Sequence, residues 1–277
     1  LSGTLFVVAT PIGHLGDLSD RARQVLSSVA LIAAEDTRHT RKLLDHIGST
    51  VPLASVHAHS DPRRLGQVVD RLVAGDDVAL CTDAGTPAIS DPGPALVTEA
   101  RRRGIAVVPI PGPSAVPAAL SVTGWPADHY LFLGFPPRKG GERERWLDRI
   151  RDAAESVVCF EAPGRTAALV RDLAGRCGAD RRVMLGREMT KVHEEYRVTT
   201  LGELARELAD SEPRGEVTLV IEAAEPVGAQ PDRSAARELA AVLARAGLEP
   251  SRIARIVAEV HGLSRNESYR VSLEEAP

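Results

Sequence analysis

Apolar residues in this chain follow two rhythms. Short unbroken runs, Thr4-Leu5-Phe6-Val7-Val8-Ala9, Leu31-Ile32-Ala33-Ala34, Val78-Ala79-Leu80 and Ile105-Ala106-Val107-Val108, lack polar alternation and are the pattern of strands buried on both faces. Between them the apolar positions recur at helical spacing. Leu65, Val68, Val69 and Leu72 mark one helix that ends at Gly75, Ser19 caps another that runs to about Ser28, and Ala95-Leu96-Val97 opens a third that ends near Arg103 and Gly104. Alternating strands and helices of this kind predict an α/β fold.

The second half repeats the scheme after a link at Tyr130-Leu131-Phe132-Leu133-Gly134-Phe135. Strands are predicted over residues 156–160, 183–187, 196–200 and 217–222, with a helix over 201–210. A Pro-, Gly- and polar-rich boundary covers 223–232. In the tail Leu239, Val242, Leu243 and Ala246 share one helical face, as do Ile253, Ile256, Val257 and Val260, and a third, polar helix is predicted over 263–270. The expected domains are therefore 1–124, 125–224 and a helical tail of 233–277.

The chemistry sits at the strand ends. After the run at 78–80 comes Cys81-Thr82-Asp83-Ala84-Gly85-Thr86-Pro87-Ala88-Ile89-Ser90-Asp91-Pro92-Gly93, where glycines and prolines make a stiff loop at the edge on which open α/β sheets bind ligands. Asp83 is the natural polar handle for a ligand's hydroxyl or ammonium group. Thr10-Pro11-Ile12-Gly13 follows the first run, and Pro109-Ile110-Pro111-Gly112-Pro113-Ser114-Ala115 follows the fourth, with Ser114 as helix cap and ligand contact. Three loops of one construction point to a single pocket along one sheet edge. Neither G-x-G-x-x-G nor G-x-x-x-x-G-K-[ST] occurs, so nothing indicates a nicotinamide or nucleoside-triphosphate site.

Ionisable residues crowd a fourth strand end, at Glu35-Asp36-Thr37-Arg38-His39-Thr40-Arg41. Helix capping accounts for Asp36 and Thr37; Glu35, Arg38 and His39 ask for another role. His57 and His59 are expected to line a cleft rather than bind metal, since no acidic or cysteine partner is near. The arginines at 143, 145 and 149 alternate with acidic residues and read as a solvated face. From the second half, Glu161-Ala162-Pro163-Gly164-Arg165, Arg187-Glu188-Met189-Thr190-Lys191 and Arg214-Gly215-Glu216 are placed to close a cleft from its other side.

Composition narrows the function. A formal charge of -4 disfavours a protein that coats nucleic acid, and 3% aromatic residues disfavour base stacking on aromatic rings. Three widely spaced cysteines, 81, 159 and 177, argue for a reducing compartment and against a structural zinc. No apolar run reaches membrane-spanning length and no secretory signal pattern opens the sequence, so a soluble, cytoplasmic protein is expected.

Six motifs, in order and spacing, resemble one family. These are Thr10-Pro11-Ile12-Gly13, Ala34-Glu35-Asp36-Thr37-Arg38-His39-Thr40, Asp83-Ala84-Gly85-Thr86-Pro87, Pro111-Gly112-Pro113, Arg187-Glu188-Met189-Thr190-Lys191 and Gly215-Glu216. They are similar to those of the bacterial 16S rRNA small subunit methyltransferases I, within the tetrapyrrole methylase (class III methyltransferase) superfamily. The Asp-Ala-Gly-Thr-Pro motif is shared across the superfamily, and Glu-Asp-Thr-Arg-His-Thr is particular to the rRNA branch. Gly164 stands where that family usually has His, and His14 where Asn is common.

The resemblance implies two α/β domains, S-adenosylmethionine folded into the cleft between them, a homodimer, and 2'-O-methylation of a cytidine in the decoding region of 16S rRNA, within the small ribosomal subunit. It puts the donor against Pro11, Ile12, Gly13, Asp83, Gly85, Thr86, Gly112, Ser114, Ala115, Ala162, Glu188, Gly215 and Glu216. Glu35 or Asp36 would accept or orient the hydroxyl proton and Arg38 would grip a phosphate. No metal is implied, because the sulfonium methyl is already activated. The rival readings are a tetrapyrrole C-methyltransferase and a non-catalytic RNA-binding protein of ribosome assembly.

Overall fold

A computed structural model describes residues 2–56, 62–91, 93–210, 213–224, 233–261, 263 and 265–274. The chain forms two compact units, Leu1–Ala224 and Glu225–Pro277.

The first unit carries two five-stranded sheets. In one, β1 (Thr4–Val8), β2 (Leu31–Ala34), β3 (Leu53–Ser55), β4 (Val78–Cys81) and β5 (Ala106–Ile110) lie all parallel in the order β3-β2-β4-β1-β5. The apolar runs have two faces, and each face has its own cover. Val8, Ile32, Ala34, Ala79 and Cys81 pack on Ala22 and Leu26 of α1 (Asp20–Ser28) and Leu43 and Leu44 of α2 (Thr37–Ile47). Their neighbours Leu5, Leu31, Ala33, Val78 and Leu80 face the other way, onto α3 (Pro62–Val73) and α4 (Pro94–Arg102). This is the two-sided burial that unalternated runs demand.

β5 extends two residues past the predicted end at Val108 and includes Pro109. The Ala9 amide bonds to the Ile110 carbonyl at 3.1 Å, so the alternate residue Pro109 turns its nitrogen to the open side of an edge strand, where no ladder bond is lost. α5 (Ala115–Ser121) begins at Ser114 as expected, but the Ser114 hydroxyl makes no capping bond.

The second sheet comprises β6 (Tyr130–Phe132), β7 (Ser156–Glu161), β8 (Arg182–Arg187), β9 (Glu195–Thr200) and β10 (Val217–Ile221), ordered β6-β7-β10-β8-β9. Only β6 and β7 are parallel. One face is covered by α6 (Gly141–Arg151), α7 (Pro163–Cys177) and α8 (Leu201–Asp210), through Trp146, Leu169, Leu173, Leu201 and Leu204 among others. The opposite face, with Val158, Met184 and Val220, packs on Val116, Ala119 and Leu120 of α5 and on Ile12. The loops of the first sheet are thereby fixed against the second. Cys81 and Cys159 are buried as free thiols within these cores.

The second unit holds α9 (Arg233–Arg245), α10 (Pro250–His261) and α11 (Arg265–Glu274) around Ala236, Ala240, Ile253, Val257, Leu263 and Val271. The faces are rotated from those expected: Val242 is 52% and Val260 62% exposed, while the small residues Ala236 and Ala240 take the centre. Three helices crossing closely need small side chains at their contact, and that substitution of size for hydrophobicity moves the buried stripe.

Candidate active site

All five strands of the first sheet are parallel, so their carboxyl ends share one edge, and the three proline- and glycine-rich loops meet there. Thr10 and Gly85 exchange two backbone hydrogen bonds, at 2.9 and 3.0 Å, which zip the loop after β1 to the loop after β4. The Thr86 hydroxyl donates to the Pro113 carbonyl at 3.1 Å and ties in the loop after β5. Gly112 lies so close to Ala9 that a Cβ would stand 3.1 Å from the alanine's own. Gly13 is pressed between Lys191 Cγ and Thr190 Oγ1 at 2.5 and 2.7 Å from where its Cβ would be, and the His14 amide donates to Thr190 Oγ1 at 3.0 Å. The departure at His14 is therefore local: its ring accepts from the Gly16 amide and starts a short 3-10 turn.

These ties enclose a cavity of about 360 Å³ with walls from both sheets. Ile12, Gly85, Thr86, Ser114 and Ala115 line it from the first, and Ala162, Gly215 and Glu216 from the second. Pro11, Gly13, Asp83, Gly112 and Glu188, also named from the sequence, are not among its lining residues. Gly13 and Gly112 serve close packing, and Glu188 braces Gly215 and Glu216 from behind. Glu161, from the run expected to close the cleft, lines the cavity, and so do Asp91, Ile89, Phe135 and Phe160, for which the sequence offers no site signal of their own. Asp91 and Ile89 belong to the loop after β4, but nothing in a sequence tells which of its side chains turn inward. Among the described residues, the charged side chains on the lining, Asp91, Glu161 and Glu216, are all acidic.

The acidic residues beside the cavity form a linked set. Asp83 does not reach in as a handle: its Oδ1 accepts the Asp36 amide at 3.1 Å, and its own amide donates to Glu35 Oε2 at 3.4 Å. Asp36 caps α2, accepting the Arg38 amide at 2.8 Å, and grips the Arg38 guanidinium through both oxygens at 3.1 and 2.7 Å. These bonds hold its carboxyl far below the ordinary carboxylate range. Asp91 moves the opposite way. Partial burial, then the negative charge of Glu35, push it up to about 6, against a hydrogen bond with Thr82. Glu161, with a side chain only 2% exposed, is paired with Arg165 at 2.6 Å.

His57 and His59 lie outside the described residues. Among the described residues no three His, Cys, Asp or Glu side chains converge as ligands for a metal ion.

Residues 4–205 match the family model of the Tetrapyrrole (Corrin/Porphyrin) Methylases. The chain belongs to this family. It is 42% identical, over 99% of its length and 98% of the other's, to the ribosomal RNA small subunit methyltransferase I of Pseudomonas aeruginosa. To the protein of that name from Xylella fastidiosa it is also 42% identical, over 96% of this chain and 98% of the other. Those relatives place it in their branch of the family. Among solved structures, the uroporphyrin-III C-methyltransferase of Thermus thermophilus, complexed with S-adenosylhomocysteine, superposes with a TM-score of 0.57 at 17% identity, over 79% of this chain and 97% of that one. At that identity the likeness speaks for the fold.

Proposed function

We propose that this protein is an S-adenosylmethionine-dependent methyltransferase of small-subunit ribosomal RNA, and that it methylates the 2'-oxygen of a cytidine in the decoding region. The observation that carries the reading is the 42% identity over nearly the whole length to relatives bearing that enzyme's name. The motif Glu35-Asp36-Thr37-Arg38-His39-Thr40 and the helical second unit favour it over a tetrapyrrole substrate. The homodimer, the assembled small subunit as substrate, and the cytoplasm as location belong to the same proposal, as does a division of the first unit into domains 1–124 and 125–224. Among the described residues no helix is long and apolar enough to cross a membrane.

The cavity fits the donor. About 360 Å³ lies in the range of small-ligand sites, and an exclusively acidic set of charged lining residues suits a cation. Gly85 and Gly215, at φ of 77° and 82°, place on the cavity lining a left-handed backbone that residues with a side chain rarely adopt. S-adenosylmethionine, when bound, supplies a methyl already activated on a sulfonium. The chain's residues then need to hold, orient and manage one proton. Ile12, Gly85, Thr86, Ser114, Ala115, Ala162 and Gly215 form the cradle. Asp91 provides the negative charge on the cavity wall that Asp83, turned onto Asp36, does not. Glu35 and Asp91 are the carboxylates placed to take or orient the acceptor's proton. Asp36, ionised and doubly engaged, holds Arg38, whose side chain is 88% exposed and available to a phosphate.

Mapping ribose methylation on small-subunit rRNA from cells with and without the protein tests the reading. A methylated cytidine in the decoding region that vanishes with the protein is expected. An unchanged ribose pattern with undiminished binding of labelled S-adenosylmethionine would point to another acceptor, and no binding at all to a non-catalytic role.

A further inference from the structure

Aromatic residues are scarce here, yet they are not scattered. Of four phenylalanines in 277 residues, three form one cluster, and two of these, Phe135 and Phe160, line the cavity. Phe160 packs edge-to-face against Phe132 at 5.0 Å and 63°, and against Phe135 at 5.6 Å and 62°. Phe132 and Phe160 are partly buried against the core between the second sheet and α5. Phe135 is 53% exposed, although it lines the cavity beside Phe160.

The backbone holds this ring out. Phe135 follows β6 and Gly134, which takes a left-handed φ of 59° and lies so close to the loop after β4 that a Cβ would stand 3.1 Å from Ser90 Oγ. The Gly134 carbonyl is pinned by the Phe160 amide at 3.0 Å. Ala88 and Ser90 themselves sit at φ of 73° and 66°, a conformation costly for residues with a Cβ and sustained only where the surroundings enforce it. Ile89 between them is 40% exposed and also lines the cavity. Two constrained segments thus present their large apolar side chains, Phe135 and Ile89, at the solvent-exposed rim of a cavity whose other lining residues include Ile12, Ala115, Glu161 and Val217.

We propose that Phe135 is the stacking platform for the nucleobase of the methyl acceptor, an unpaired base of the RNA strand seated at the rim with Ile89 as the second apolar contact. The inference rests on the rRNA methyltransferase reading above and deepens it. An acceptor enters from solvent and meets the rim, whereas the donor occupies the interior cradle. The same loop that carries Ile89 carries Asp91, so a base held on Phe135 brings its ribose toward the carboxylates of Asp91 and Glu35. Ring stacking is indifferent to base identity, because every base has a π-face. Low aromatic content therefore excludes an extended aromatic surface for RNA, but not a single platform at the reacting nucleotide.

The test uses the full-length protein, small ribosomal subunits from cells lacking it, and the variants Phe135→Ala, Phe135→Leu and Phe135→Trp. Removing the ring is expected to lower kcat/KM for the subunits roughly ten- to a hundred-fold, the range of one base stack. Calorimetric affinity for S-adenosylmethionine stays within about twofold, and the melting temperature falls by at most a few degrees, since the half-exposed ring gives up only its edge-to-face contact with Phe160. Tryptophan restores the rate to within a few-fold of wild type, and leucine does not. Full activity in the alanine variant, or leucine performing as well as tryptophan, overturns the stacking role. A loss that appears in cofactor affinity reassigns the ring to the donor and overturns it equally. Wild-type protein that binds S-adenosylmethionine but leaves the subunits unmethylated overturns the functional reading itself, and the nucleobase assignment with it.

Discussion

Glu188 and Glu216 are locked to each other: the Glu216 amide donates to Glu188 Oε1 at 2.9 Å, and the Glu188 amide donates to the Glu216 carbonyl at 3.0 Å. Lys191 closes the clamp with ion pairs to both carboxylates, at 2.9 and 3.1 Å. The two motifs of the second sheet, Arg187 to Lys191 and Gly215-Glu216, are thus one device. It holds Gly215 and Glu216 against the cavity from behind.

Gly215 is the weak point of that clamp. It has a φ of 82°, and a Cβ there would collide with the Glu188 carboxylate. Gly215→Ala is expected to cost about 1–3 kcal/mol of stability through backbone strain and to weaken S-adenosylmethionine binding through displaced Glu188. Glu188→Gln, which keeps an acceptor for the Glu216 amide and loses only the charge toward Lys191, should do less on both counts. Thermal unfolding and calorimetry of the two variants decide it; wild-type values in Gly215→Ala would show that the clamp does not shape the cavity.

Asp36 and Arg38 separate capping from chemistry. Removal of the cap in Asp36→Ala should lower the melting temperature by roughly 2–4 °C. Asp36→Asn keeps a capping oxygen and should unfold nearly like wild type, with Arg38 released from its partner. Arg38→Ala should leave cofactor affinity intact, weaken RNA binding, and reduce the dependence of log affinity on log salt by about one phosphate's worth. A slow single-turnover rate in Asp36→Asn with undiminished RNA affinity would instead make Asp36 the proton acceptor.

The helices, the three converging loops and the strands other than β3 and β6 are legible because apolar runs and Gly/Pro punctuation record burial and backbone conformation directly; β3 and β6, three residues each, are too short to stand out, and Tyr130–Phe132 reads as a link. What those signals omit is the direction of each side chain. Asp83 and Asp91 occupy one loop and look equally suited to a ligand, yet Asp83 turns onto the Asp36 amide and Asp91 onto the cavity. Phe135 read as part of an apolar link, because its role depends on Phe160, twenty-five residues on, and on Ser90 in the other sheet's loop. In the tail the pattern gave the helices but not the buried stripe, since Ala236 and Ala240 are chosen for size and carry little hydrophobic signal.

The second unit has its own apolar core, and the described residues that line the cavity belong to the first unit. Ending the chain after Ala224 should therefore leave a folded first unit with S-adenosylmethionine affinity within about twofold of the full protein. Methylation of small subunits should fall, in the rate constant at limiting subunit concentration more than at saturation. Calorimetry and a substrate titration check the pair of outcomes; a truncated protein that methylates with an unchanged KM would remove the second unit from substrate docking.

Asp91 makes the sharpest pH forecast, with opposite signs for stability and for binding. Its folded value of about 6 lies above the ordinary 3.8, so the folded protein keeps a proton that the unfolded chain has already released. The associated stability is fully present below about pH 4 and fades as pH rises through about 6. A cationic donor, by contrast, favours the ionised carboxylate, so S-adenosylmethionine affinity should rise from pH 5 to about 7 and then level off. Asp91→Asn should abolish both slopes and leave binding weak at every pH. Glu35→Gln removes the like charge that helps hold the proton on Asp91, and should shift the midpoint of the binding curve downward without abolishing it. Calorimetric affinity and thermal stability measured across pH 4–8 for the three proteins resolve the matter: a sloping affinity curve in Asp91→Asn, or a midpoint unmoved by Glu35→Gln, would assign the titrating group to some other side chain.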